Sequence, residues 1–253
     1  MMQTVLYDAS FEGFFTAVFE IYEYRISQPD IQREGAAAVS LFGNTHTVHT
    51  DRNKAGRVIK KLQEKLYEDA FRQLYWSFLS AQPGIENTLF RYTRYALSSS
   101  QQITTDYSNA DVLTIQQTAK KMGREKHRME AFIRFQQTKD GLYYAVVSPD
   151  FNVLPLISRH FEERYADQRW LIYDTTRKYG IFYDLNTVSE VSIDFTTSPQ
   201  DTAAIYDEKE ALYQSLWQTY FNSTNITARK NMPLHIRHMP RRYWKYLTEK
   251  KPY

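Results

Sequence analysis

The sequence predicts an α+β protein, with an antiparallel sheet over about residues 130–195 enclosed by helices from the N-terminal and C-terminal parts of the chain. Three observations predict it. Apolar residues recur at helical spacing through most of the chain up to Lys126. Beyond it the period changes from about 3.6 to 2, with Ala131, Ile133 and Phe135 alternating with Phe132, Arg134 and Gln136. Turn signals then divide the run to Phe195 into short β-prone pieces. At 253 residues the chain reads as one α+β unit, with a mainly helical part (1–105) and a sheet-containing core plus basic tail (106–253).

The elements follow in order. Thr4 to Tyr7 reads as a short strand and Ser10 as a helix cap. Phe11, Phe14, Phe15, Val18, Phe19 and Tyr22 then mark one apolar helical face. Ser27 to Ala38, polar and carrying Pro29 and Gly35, reads as a connection, and Val39 to Thr50 as an extended run. Asp51 caps a second helix with Ala55, Val58, Ile59, Leu62 and Leu66 inward; its Arg57, Lys60, Lys61 and Lys65 read as solvated charge. The helical pattern continues through Leu79, breaks at Pro83-Gly84 and resumes from Ile85 to Leu97. Asp106 to Lys126 is the next helix, with Val112, Ile115, Ala119 and Met122 inward. Lys139-Asp140-Gly141 turns into a returning strand, Leu142 to Ser148. Pro155 opens a helix, after which Trp170–Tyr173, Ile181–Leu185 and Val191–Phe195 read as strands. A long helix is expected from Ala203 to Phe221, one helical turn at Pro233–His238, and a last short helix opened by Pro240.

Composition narrows the chemistry. There are no cysteines, which excludes disulfides, thiolate metal sites and Cys nucleophiles and fits a cytoplasmic protein. The stretch MMQTVLYDASFEGFF lacks a signal-peptide pattern, and no window is apolar enough to span a membrane. Asn222 and Asn225 match the glycosylation acceptor pattern by coincidence in such a protein. From Arg229 to Tyr253 eight Lys or Arg face one acid, so +7 of charge sits in the tail and the remaining 228 residues sum to −4. That asymmetry points to an anionic partner or, equally on composition alone, to a solvated basic tail.

Taken together, GREKHRMEAFIRF, RWLIYDTTRKYGIFYD and LWQTYFNSTNITARKNMPLHIRHMPRRYWKYL resemble one bacterial family, the domain of unknown function 4130. The N-terminal VLYDASFEGFFTAVFEIYEY and SLFGNTHTVHTDRNKAGRV stretches are similar to it too. The resemblance implies a role in DNA metabolism, since its members occur beside a radical SAM protein and longer relatives carry a domain similar to uracil-DNA glycosylase. A neighbour or a fused domain gives context, not a site.

Two basic clusters carry the binding hypothesis. Lys120, Arg124, His127 and Arg128 share a helical face, where Glu125 and Glu130 could instead pair with them. Arg237, His238, Arg241, Arg242, Tyr243 and Lys245 form the second, with Trp244 read as docking the last helix. His235 and His238 (i, i+3) and His46 and His49 lack the third ligand that a zinc site requires, so no metal or other cofactor is expected. Asp174 and Asp184, at the ends of neighbouring strands, and His127 are the weak catalytic candidates; turn formation is the stronger reading of both aspartates. No nucleophile elbow, Walker loop, dinucleotide fingerprint or zincin motif is present. The expectation is a nucleic-acid-binding accessory protein in DNA repair or metabolism, with DNA and a radical SAM protein as partners. The alternatives are a module that docks that partner without binding DNA, and an enzyme acting on a nucleic-acid base or backbone.

Overall fold

A computed structural model describes residues 3–35, 44–192, 232–247 and 250. The fold is α+β, and the chain divides into two compact units at Met122 and Gly123. The helix expected over 203–221, Asn222, Asn225 and the side chain of His235 lie outside the described residues.

The first unit is built on a three-stranded parallel sheet in the order β2-β1-β3, with β1 at Gln3–Tyr7, β2 at Pro29–Arg33 and β3 at Asn44–Thr47. α1 (Phe11–Glu23) starts where Ser10 Oγ accepts the Gly13 N–H at 2.9 Å. A Cβ on Gly13 would lie 2.1 Å from Asp8 Oδ1, so only glycine lets that carboxylate sit against the first helical turn. The buried apolar residues of α1 are Phe14, Phe15, Ala17, Val18 and Ile21. Tyr22, expected on that face, is 51% exposed. β2 corrects the expected connection at Ser27 to Ala38. Its one apolar residue, Ile31, is buried in register with Val5. The outer edge of β2 is covered by Asn87, whose Oδ1 accepts the Ile31 N–H at 2.9 Å while its Nδ2 donates to Asp30 at 2.7 Å.

α2 (Arg52–Lys65) is capped as expected, Asp51 Oδ1 accepting the N–H groups of Asn53 and Lys54 at 2.8 and 3.2 Å. α3 (Glu68–Leu79) and α4 (Ile85–Ser98) follow, separated by the break at Gly84. Phe11 meets Phe15, Tyr75 and Phe78 edge-on at 4.9–5.1 Å, extending the apolar core of this unit.

α5 runs from Ala110 to Phe132, across the division between the units. Asn109 caps it, accepting the N–H groups of Asp111 and Val112. The strand expected from Ala131 therefore begins later, at β4 (Gln136–Gln137), because Phe132 and Ile133 still follow the spacing set by Met122 and Met129. β5 (Tyr143–Val147), α6 (Leu154–Arg164), β6 (Trp170–Asp174), β7 (Tyr179–Tyr183) and β8 (Val188–Val191) complete a five-stranded sheet in the order β4-β5-β6-β7-β8. Three pairings are antiparallel, but β5 and β6 run parallel, so the sheet is mixed. The cause is α6, which carries the chain back between the two strands as a crossover. Phe135, Phe161 and Tyr183 surround Trp170 at centroid distances of 5.5–6.4 Å and form the core of the second unit.

Candidate nucleic-acid interface

Glu125 organises the second unit. On α5 it stands three residues after Met122 and four before Met129, on the apolar face, and is 1% exposed. A carboxylate at such a depth requires partners, and both of its oxygens have them. Oε1 accepts the Asp150 N–H at 3.1 Å. Oε2 accepts the hydroxyl of Tyr243 at 2.5 Å and a hydrogen bond from Arg242 Nη2. Arg242 Nη1 also pairs with Asp150 Oδ2, and its guanidinium lies 4.7 Å from the centre of the Tyr243 ring. Burial, with the bond to Glu125 second, pushes the Tyr243 hydroxyl up to about 12.

The 3-10 turn Arg241–Tyr246, opened by Pro240, is therefore fastened to the last turns of α5. Tyr243 and Leu247 point inward, and Tyr243 packs on Phe132 at 5.3 Å. Arg241, Arg242 and Lys245 remain exposed. Trp244 is half-buried and donates through Nε1 to the Met239 carbonyl at 3.0 Å. The helical turn before it, Met232–His238, exposes Arg237 and His238. On α5, Lys120, Arg124 and His127 are exposed, and Arg128 is half-buried with Nη1 4.0 Å from Glu125 Oε2. Lys126 pairs with Glu130 at 2.5 Å. A single tether thus joins α5, which carries Arg124, His127 and Arg128, to the turn that carries Arg241, Arg242 and Lys245. Arg242 and Tyr243 also make that tether, and Arg242 keeps a 39% exposed side chain.

The two aspartates do turn chemistry. Asp174 is fully buried; its Oδ1 accepts the N–H groups of Thr176 and Arg177, and its Oδ2 accepts Arg177 Nη1 at 2.8 Å. Arg177 spans to the carbonyls of Pro149 and Asp150, tying the β6–β7 turn to the β5–α6 loop. Asp184 is exposed, and the N–H groups of Thr187 and Asn186, at 2.8 Å each, hold its carboxyl below the usual range. Asp174, Asp184 and His127 are not joined by any hydrogen bond among the described residues. His46 bonds Glu20 at 2.7 Å and His49 is exposed; among the described residues no three His, Asp or Glu side chains converge as metal ligands. No helix among them is long and apolar enough to cross a membrane.

Sequence reasoning treated Glu125 only as a pairing partner for nearby cations. The signal for its deeper role was its place between Met122 and Met129. Asp150 carried no signal, since its partners Glu125 and Arg242 come from distant elements, and neither did the bonds of Arg177 to the Pro149 and Asp150 carbonyls.

The profile of a family described as Domain of unknown function (DUF4130) matches residues 83–249, which include α4 to β8 and the whole Glu125 site. No curated protein matches the sequence at a significant level.

Proposed function

The chain belongs to the DUF4130 family, and we propose that it is a nucleic-acid-binding accessory protein in DNA repair or metabolism, acting with a radical SAM partner. The observation that carries this reading is the Glu125–Tyr243 tether. It fastens the terminal turn, which carries Arg241, Arg242 and Lys245, to α5, the helix that carries Arg124, His127 and Arg128. Guanidinium and ammonium groups on a rigid support suit phosphate oxygens, and a preset turn loses little freedom on binding. The partner and the DNA context rest on the family resemblance.

The test is a salt-titrated binding assay with single-stranded, duplex and uracil-containing DNA. Arg124→Ala/Arg128→Ala and Arg241→Ala/Lys245→Ala are each expected to reduce the slope of log affinity against log salt by about 1.8 for duplex, since each lost phosphate contact removes about 0.9. Weak binding indifferent to both variants would reject the reading in favour of a docking module.

A further inference from the structure

The Glu125 site leaves one concentration of charge unused. α2 carries six Lys or Arg in fourteen residues and a single acid, Glu64. Ala55, Val58 and Leu62 bury one side of it. At about 100° per residue, Arg52, Asn53, Gly56, Arg57, Lys60 and Lys61 cover the opposite side, and all are exposed.

Pairing within the chain occupies mainly the flanks of this face. Lys54 reaches Glu20 and Glu23 at 3.0 and 2.7 Å, and Lys65 donates to the Ser99 carbonyl at 2.8 Å. Lys61 meets Glu64 at 2.8 Å, an exposed pair that water and salt screen. Arg52, Arg57 and Lys60 make no ion pair among the described residues. The Arg57 guanidinium instead lies 4.9 Å from the centre of the Phe19 ring, which steadies it without neutralising it.

Gly56 is the second observation. It stands in the middle of the helix, between Arg52 and Lys60, where glycine weakens a helix relative to alanine. No positive φ calls for it, and among the described residues nothing beyond the helix's own backbone and its chain neighbours lies within 4 Å of the place its Cβ would take. Neither backbone geometry nor packing among the described residues accounts for the missing side chain. A partner that comes close to the helix backbone does.

We propose that this face of α2 is a second docking surface for the phosphate backbone of DNA, built from residues other than those of the Glu125 site and outside the residues matched by the family profile. Gly56 leaves a flat place for the sugar–phosphate chain, and Arg52, Arg57 and Lys60 take its phosphates. The inference rests on the DNA-binding reading above, and it extends that reading to the first unit.

The experiment measures affinity of the full chain for a duplex oligonucleotide over a salt series. Arg57→Gln/Lys60→Gln is expected to weaken binding about tenfold or more and to lower the salt slope by about 1.8. Gly56→Glu, at an open surface position, is expected to weaken it comparably, with the thermal unfolding of both variants close to that of the unaltered chain. If the α2 variants bind with unchanged slope while Arg124→Ala/Arg241→Ala weakens binding, the α2 surface is overturned and the DNA-binding reading stands. Absence of salt-dependent binding by the unaltered chain overturns both.

Discussion

Each unit contains a buried glutamate held by one arginine and one tyrosine, and the two copies of this arrangement are put to different ends. In the first unit Glu86, 6% exposed, accepts Arg33 Nε at 2.6 Å and the Tyr7 hydroxyl at 3.5 Å. Arg33 continues to the Phe78 carbonyl at 3.0 Å and lies 5.0 Å from the Phe78 ring centre, so its charge is spent inside. In the second unit Arg242 meets the half-exposed Asp150 instead of a buried carbonyl, and its side chain is 39% exposed against 21% for Arg33. The same three residue types thus close the end of a sheet in one unit and mount a basic turn at the surface in the other. What differs is the second anchor of the arginine, and it decides whether the charge is consumed or displayed.

The comparison breaks most severely at the glutamates. Glu86→Ala is expected to lose about 3 kcal/mol, because it strands a partly buried guanidinium. Glu125→Ala is expected to lose a similar amount, but locally. Its signature is fast hydrogen exchange and proteolysis at residues 241–246 ahead of global urea unfolding, whereas Glu86→Ala shifts the urea transition itself.

The tyrosines sharpen it next. Tyr243→Phe removes a 2.5 Å bond to a buried carboxylate and is expected to cost about 1.5–3 kcal/mol. Tyr7→Phe removes a contact of 3.5 Å and is expected to cost about 0.5 kcal/mol. Equal losses in urea titrations would show that contact length does not distinguish the two sites.

Alkaline pH tests the same pair without breaking either. Tyr243 keeps its proton more tightly when folded, so its contribution is whole below the ordinary value of 10.0 and is lost as pH rises through about 12. Burial pushes Tyr7 up as well, giving the same direction. Stability is expected to fall over that window, and less steeply in Tyr243→Phe; an unchanged slope would place the Tyr243 hydroxyl in a setting like water. The smallest effect belongs to the second anchor. Asp150→Asn breaks a half-exposed ion pair and is expected to change stability by less than about 1 kcal/mol, with the difference shrinking in high salt.

Much of this fold was legible where a local rule decides the conformation. Ser10 and Asp51 announce their helices because an N-cap acts within three residues, and Pro155 and Pro240 open their turns for reasons internal to proline. β2 was not legible, since a single buried Ile31 in a polar stretch becomes a strand only through β1 and Asn87. The parallel pairing of β5 and β6 was hidden for the same reason: a strand carries no mark of its neighbour's direction. At the candidate site, the exposed cations of α5 and the terminal turn could be read from the sequence. The link between those two elements could not, because the residues that make it, Glu125 and Arg242, are 117 apart in the chain.

Asn87 has a consequence for how the protein behaves in a crowded solution. A parallel sheet of three strands ends in two rows of backbone groups, and an uncovered row is a template for a strand from another molecule. On β2 the amide of Asn87 imitates such a strand, taking the outward Ile31 N–H and leaving an intruder nothing there to bind. Asn87→Leu would preserve the helix and the apolar bulk but reopen that position. Its cost should therefore appear less in the melting of the monomer than in concentration-dependent clumping during refolding, so this one amide acts as a guard on solubility.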